Sequence, residues 1–213
     1  MHAETKTPDT APFWDKIAPK YARQPIKDQA AYAQKLDRVR ALLRAEDRVL
    51  EIGCGTGSTA LHLAPSVAEI VATDISRGMI EIAEDKRRAA GVDTVTFVQA
   101  DAAETHYEAP FDAVLSFSLL HLVPDVPKVL DIVYAQLKPG GVFVSKTVCL
   151  GDASPILRLF VRALGVVRFA PPVTPLSKAG LSRALVQAGF ELVETQYFGK
   201  GRMNPFIVAR RPL

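Results

Sequence analysis

The residues best equipped for chemistry are a glycine loop and the carboxylates around it. Val49–Gly57 reads VLEIGCGTG, so an apolar run leads through Glu51 to Gly53, Gly55 and Gly57, with Cys54 as a small residue between two of them. Glycines take positive φ and let a ligand touch the backbone. Three of them on alternate positions, opened by an acid and followed by a helical pattern, indicate a nucleotide-like ligand rather than a bare turn. A dinucleotide fingerprint would place a glycine where Ser58 stands, and a phosphate-cradling loop would need a Gly-Lys-Ser/Thr ending that is absent. Glu51 would repel a pyrophosphate but favour a cationic amino or sulfonium group. IVATDIS ends a second apolar block at Asp74, and VQADA ends a third at Asp101. An acid at the end of the second strand suits ribose hydroxyls. Ser76 can cap the helix that follows, which frees Asp74 for that role.

These acids need strands to present them and helices between the strands. Strands are expected at Arg48–Ile52, Glu69–Asp74, Val95–Gln99, Ala113–Ser116, Val142–Thr147, Phe190–Tyr197 and Pro205–Ala209. Helices are expected at Thr59–Leu63, Ser76–Ala90, Val126–Leu137, Pro155–Leu164 and Lys178–Ala188, with helical spacing also from Asp28 to Arg44. Alternating strands and helices imply an α/β fold, a doubly wound and mostly parallel sheet covered on both faces. FGKGRMN is too short for a crossover helix, so the last two strands should pair antiparallel. Residues Met1–Pro12 are polar and expected to be frayed. LKPGG reads as a type II turn without chemistry.

The chain of 213 residues suits one domain, and 48% hydrophobic with 23% charged residues is a globular profile. A net charge of +3 is too small to argue for nucleic acid. Cys54 and Cys149 form no Cys-x-x-Cys pair, and His2, His62, His106 and His121 show no ligand spacing, so no metal site is expected. MHAETKTPDTAP has no apolar signal core, and no apolar run is long enough to span a bilayer; a cytoplasmic protein is the expectation.

VLEIGCGTG, VATDIS, VQADA, FDAVLSFSLLHL and LKPGGVFV together resemble the ordered motifs of the class I S-adenosylmethionine-dependent methyltransferases. The resemblance covers Arg48 to about Lys146, and the final helix and two strands complete the Rossmann-like seven-stranded sheet of that family. FWDKIAPKYA resembles the small-molecule branch that includes ubiquinone/menaquinone C-methyltransferases. The resemblance implies S-adenosylmethionine as cofactor. Gly53, Cys54, Gly55 and Gly57 would line its methionine part and Glu51 its amino group. Asp74 would take the ribose, Ile75 and Met79 the adenine face, and Asp101 with Ala102 the adenine amino edge. Ser116 and Phe117 would face the reacting methyl, and Tyr21 would close over the cofactor. It also implies one domain with an N-terminal helical lid at residues 1–44 and a substrate-cap insertion at 151–176.

For the acceptor, SFSLLH replaces the Asp/Asn-Pro-Pro-aromatic stretch of enzymes that methylate adenine bases, which counts against a nucleic-acid partner. His121 is the candidate base, weighed against a role in packing the following loop. Asp112 reads as a strand-entry residue, and Trp14 as the apolar face of the first helix. SPILRLFVRALGVVRFAPPV is a cap helix or a basic amphipathic surface making peripheral membrane contact for a quinone precursor or lipid. The expected function is methyl transfer to a small apolar molecule. The alternatives are an NAD(P)-dependent oxidoreductase, which Ser58 and Glu51 disfavour, and a non-catalytic cofactor binder; oligomeric state is left open.

Overall fold

The structure, a computed structural model, describes residues 10–104, 106–157, 159 and 173–213. In chain order the elements are α1 (Ala11–Ala22), α2 (Gln29–Arg40), β1 (Arg48–Ile52), α3 (Ser58–Leu63), β2 (Glu69–Asp74), α4 (Arg77–Ala90), β3 (Val95–Gln99), β4 (Phe111–Phe117), α5 (Val126–Gln136), β5 (Leu137–Lys146), α6 (Lys178–Gln187), β6 (Glu191–Gln196) and β7 (Phe206–Arg210). The strands form one sheet in the order β3-β2-β1-β4-β5-β7-β6. β7 runs antiparallel to both β5 and β6, and the other pairings are parallel. This is the expected doubly wound sheet, with the last strand of the chain, β7, antiparallel and seated between β5 and the end strand β6.

Side-chain alternation along each strand feeds two cores. Val49, Ile70, Ala113, Leu115 and Val144 pack under α2, α3 and α4 through Leu36, Val39, Leu63 and Ala83. Leu50, Val114, Phe143 and Ile207 pack under α5 and α6 through Val129, Leu130, Leu181 and Leu185. Short polar side chains start the helices: Asp28, Ser76, Asp125 and Ser177 each accept from a backbone N–H of the first turn of α2, α4, α5 and α6.

The boundaries differ from expectation in places, each for a local reason. α1 begins at Ala11, inside the segment expected to be frayed, because Pro12 is tolerated in a first helical turn. α2 stops at Arg40 rather than Arg44, where Leu42 and Leu43 donate to Val39 and Arg40 in tighter turns. β4 starts two residues early at Phe111, because the Asp112 carboxylate accepts from the Arg48 amide and the Lys138 ammonium and fixes the strand's entry. α5 passes directly into β5, whose first residue Leu137 pairs with Phe111. Gly140 has φ +79, the value a type II turn needs, yet its N–H also bonds Arg211, so LKPGG is part of the sheet's edge. Most of the expected helix Pro155–Leu164, and the centre of the 151–176 segment, lie outside the described residues.

Candidate functional site

In a parallel sheet whose order reverses between neighbouring strands, ligands bind beyond the carboxyl ends at the reversal. Here β1 is flanked by β2 on one side and β4 on the other, and the glycine loop leaves β1 at that point. Asp74, at the end of β2, holds the loop in shape. One of its oxygens accepts from the Gly55 N–H at 2.8 Å and the other from the Ser76 N–H at 2.9 Å. Ser76 caps α4 by accepting from Met79, so Asp74 is not the cap, as expected. Burial raises the Asp74 pKa, and the two N–H donors pull it back down. Both oxygens keep acceptor capacity for a further donor.

The three loop glycines serve different ends. A Cβ at Gly55, φ +54, would meet only the Tyr21 ring at 3.8 Å, so this backbone lies open to a ligand. A Cβ at Gly57, φ +74, would come within 2.5 Å of the Phe97 ring and 2.8 Å of Ala83. Gly57 therefore packs the loop onto α4 and β3 and lines neither of the two cavities, which corrects its expected place beside the ligand. Ser116 also lines neither cavity. It is fully buried next to Ser145 on β5, and neither hydroxyl has a partner among the described residues.

Two cavities meet at the strand ends, sharing Tyr21, Gly53, Gly55, Phe117 and Ser118. The first, of about 770 Å³, holds the expected Asp74, Ile75, Met79, Asp101 and Ala102 on one side. Its opposite wall is apolar, with Leu119, Leu122, Val123, Pro124 and Val173. Trp14 lines it too, so this side chain belongs to the cavity and not only to the apolar face of α1. α1 is fastened there by Asp15, whose carboxylate accepts from the Ser76 hydroxyl at 2.6 Å and the Gly78 N–H at 2.9 Å. Those bonds, the hydroxyl's first, hold the Asp15 pKa down.

His121 stands on the same wall. Its Nδ1 lies 2.9 Å from the Thr147 hydroxyl, and its carbonyl accepts from the Thr174 N–H. Burial lowers its pKa to about 4, so the ring is neutral at pH 7. It lines the first cavity, and among the described residues its bonds run to Thr147 and Thr174 and not to the loop that follows it.

The second cavity, of about 540 Å³, is lined by Cys54, Glu51 and Lys35. Glu51 is 2% exposed, and its Oε2 has no hydrogen-bond partner among the described residues. Burial drives its pKa up, while the Lys35 charge and the Ala60 N–H oppose the rise. Lys35, on α2, is 5% exposed, with Nζ 4.0 Å over the Phe117 ring and 3.4 Å from Thr59 Oγ1. Its pKa is pulled down by burial, against the field of Glu51.

The sequence reading missed Lys35, Lys146 and Asp15. Lys35 falls on the stripe Ala31, Lys35, Val39, spaced four apart on the inward face of α2, which is a readable signal. Lys146 continues the period-two face of Val142 and Val144 at the end of β5. Asp15 offers no comparable signal, since its partners are sixty residues away in sequence. Among the described residues no group of three or more His, Cys, Asp or Glu could hold a metal ion, and no helix is long and apolar enough to cross a membrane.

Comparison with known proteins places this geometry. A family model for the methyltransferase domain matches residues 24–195. Demethylmenaquinone methyltransferase of Clavibacter sepedonicus is 41% identical over 114 residues, 53% of this chain and 44% of that protein. The tRNA 5-carboxymethoxyuridine methyltransferase of Escherichia coli (strain K12) is 35% identical over 139 residues, 61% of this chain and 53% of that one. The chain thus spans about half the length of the curated relatives it matches. The crystal structure of an S-adenosylmethionine-dependent methyltransferase from Mesorhizobium loti superposes with a TM-score of 0.70 at 25% identity, over 86% of this chain and 99% of that one.

Proposed function

The chain belongs to the methyltransferase-domain family, and from that premise we propose that it transfers a methyl group from S-adenosylmethionine to a small molecule. One observation carries the reading. Glu51 Oε2 is buried, has no hydrogen-bond partner among the described residues, and lies in one cavity with the open backbone of Gly55. A buried carboxylate oxygen without a donor is costly, and an ammonium group arriving there relieves that cost. Asp74 and Asp101 add two more carboxylates to the neighbouring cavity, which has no lysine or arginine among the described residues that line it. This anionic, partly apolar cleft fits a cationic adenosyl ligand and would oppose a pyrophosphate.

When bound, the cofactor supplies a methyl group already activated on a sulfonium. The chain then has to align the acceptor and keep water out. Tyr21 and Trp14 on α1 roof the first cavity. Asp74 would hold the ribose, and Ile75, Met79 and Ala102 would pack the adenine. Phe117 stands where the two cavities meet, in position to face the reacting methyl. His121, neutral on the apolar wall, is the group able to take a proton from an acceptor that must lose one.

The apolar wall supports an acceptor with an apolar body, of the quinone-precursor or lipid kind. Relatives are named for demethylmenaquinone and for a tRNA nucleoside; the apolar wall favours a small apolar molecule over a polynucleotide. Calorimetric titration tests the reading. S-adenosylhomocysteine should bind and NADH should not, and the protein should release S-adenosylhomocysteine when offered S-adenosylmethionine with a reduced naphthoquinone. Binding of NADH in place of S-adenosylhomocysteine would move the chain to the oxidoreductase alternative. Cofactor binding without turnover for any acceptor would leave a non-catalytic binder.

A further inference from the structure

The second cavity carries more positive charge than the donor's single carboxylate can match. Four lysines line it, Lys35, Lys86, Lys146 and Lys200, against two carboxylates, Asp28 and Glu51. The lysines are not equivalent. Lys86 is tied to the loop, donating to Thr56 Oγ1 at 2.8 Å and to Ser58 Oγ at 3.1 Å. Lys35 stands against Glu51 and the glycine loop, within the donor's neighbourhood. Lys200 lies on the outer loop between β6 and β7. Lys146 is different. It ends β5 in register with Phe117 on β4, at the junction of the two cavities, and its ammonium has no hydrogen-bond partner among the described residues. Half-burial lowers its pKa, and the one carboxylate that opposes this, Asp28, already caps α2 through Ala31.

Within the second cavity the lysines outnumber the carboxylates, while the aspartates suited to a sulfonium line the other cavity. A half-buried ammonium without a hydrogen-bond partner is costly, and a neutral acceptor beside Phe117 would leave that cost in place. An anion beside Phe117 offsets the lysine. We propose that the methyl acceptor carries a carboxylate, and that Lys146 in the second cavity holds it beside Phe117. A monoanion matches a single unpaired ammonium. Asn204 lines the same cavity, its buried Oδ1 has no partner among the described residues, and turning its amide over would present a second donor to a carboxylate. Phe117, shared by both cavities, would touch the acceptor where its anionic end in the second meets its apolar body in the first. The carboxylate thus refines the apolar acceptor: an apolar body with one anionic end. The proposal rests on the methyl-transfer reading above.

The experiment titrates trans-cinnamate and its neutral counterpart trans-cinnamamide into protein saturated with S-adenosylhomocysteine, for the native chain, Lys146→Ala and Lys146→Arg. Cinnamate should bind the native chain about tenfold tighter than the amide, the size of one hydrogen bond to a charged group. Lys146→Ala should abolish the preference, Lys146→Arg should keep it, and neither should change the affinity for S-adenosylhomocysteine. Equal binding of the two probes, no binding of cinnamate at millimolar concentration, or a preference that survives Lys146→Ala would overturn the assignment. So would an equal loss of S-adenosylhomocysteine affinity in Lys146→Ala, because the lysine would then serve the donor. Failure of the native chain to bind S-adenosylhomocysteine sinks the methyl-transfer reading and this proposal with it. A failure confined to cinnamate leaves that reading standing.

Discussion

The two cavities at the carboxyl edge of the sheet share a wall and differ in sign. Among the described residues that line them, the first has two aspartates and no lysine or arginine, and the second has four lysines and two carboxylates. The first is shaped mainly by backbone: Asp74 grips the Gly55 and Ser76 amides, Ser76 caps α4, and Asp15 binds both the cap and the Gly78 amide. The second is shaped by long side chains converging from α2, β5 and the β6–β7 loop. On the two proposals above, the contrast is a division of labour between the cofactor's frame and the acceptor's anionic end. A cofactor common to many reactions sits best on a rigid main-chain frame, whereas an acceptor is selected by side chains that can be exchanged without disturbing that frame.

The severest way to break the contrast is to attack the frame itself. Gly57→Val should cost about 3 kcal/mol or more, combining left-handed strain with overpacking against Phe97 and Ala83. Urea denaturation measures it. Gly55→Ala, where the space is open, should cost only about 1 kcal/mol of stability, while weakening S-adenosylhomocysteine. If the two glycines cost the same, the assignment of Gly57 to packing is wrong. Next in size, Asp74→Ala should weaken S-adenosylhomocysteine by about 1.5–3 kcal/mol in calorimetry, while Lys146→Ala leaves it unchanged. An unaltered dissociation constant in Asp74→Ala would reduce that residue to a loop brace.

A pH experiment sharpens the comparison at the apolar wall. The folded-state pKa of His121 is depressed from 6.5 to about 4, so between those values the unfolded chain binds the extra proton. Stability should therefore fall as pH drops from 6.5 toward 4, by at most about 1.4 kcal/mol per unit from this residue. His121→Asn should flatten that part of the profile, as followed by thermal melts. An unchanged slope would show that the ring is hydrated and ordinary. Smallest of all, Asp15→Ala should cost about 1 kcal/mol as a lost cap. Hydrogen exchange should then rise along α1, with a smaller loss of S-adenosylhomocysteine affinity than in Asp74→Ala.

The first cavity was legible in the sequence because its determinants are local. A strand end, an acid and a turn glycine sit within a few residues of one another, and Asp74, Ile75, Met79, Asp101 and Ala102 all appear where the motif order implies. Gly57 and Ser116 were misplaced for one shared reason: a motif gives the order of residues along the chain but not which way each faces. The second cavity was not legible as a whole. Lys35 and Lys146 lie more than a hundred residues apart, and only the sheet order brings α2 over the junction of β4 and β5. Each had a local sign, a cation on an apolar stripe or face, yet neither sign says what the other residue is. The architecture followed from alternation alone, while boundaries such as the direct passage from α5 into β5 depend on the long-range pairing of Leu137 with Phe111.

The seating of β7 between β5 and β6 has a consequence for biosynthesis. Within the sheet β6 touches only β7, so residues 191–196 emerge from the ribosome before their sole neighbour exists. Until residues 206–210 follow, β5 presents a bare rim and Leu192 and Val193 have no strand to belong to. Nascent chains stalled in that interval should be the ones that recruit chaperones or aggregate, which ribosome-arrested intermediates ending at residue 204 and at residue 213, plus a tunnel-length linker, would reveal.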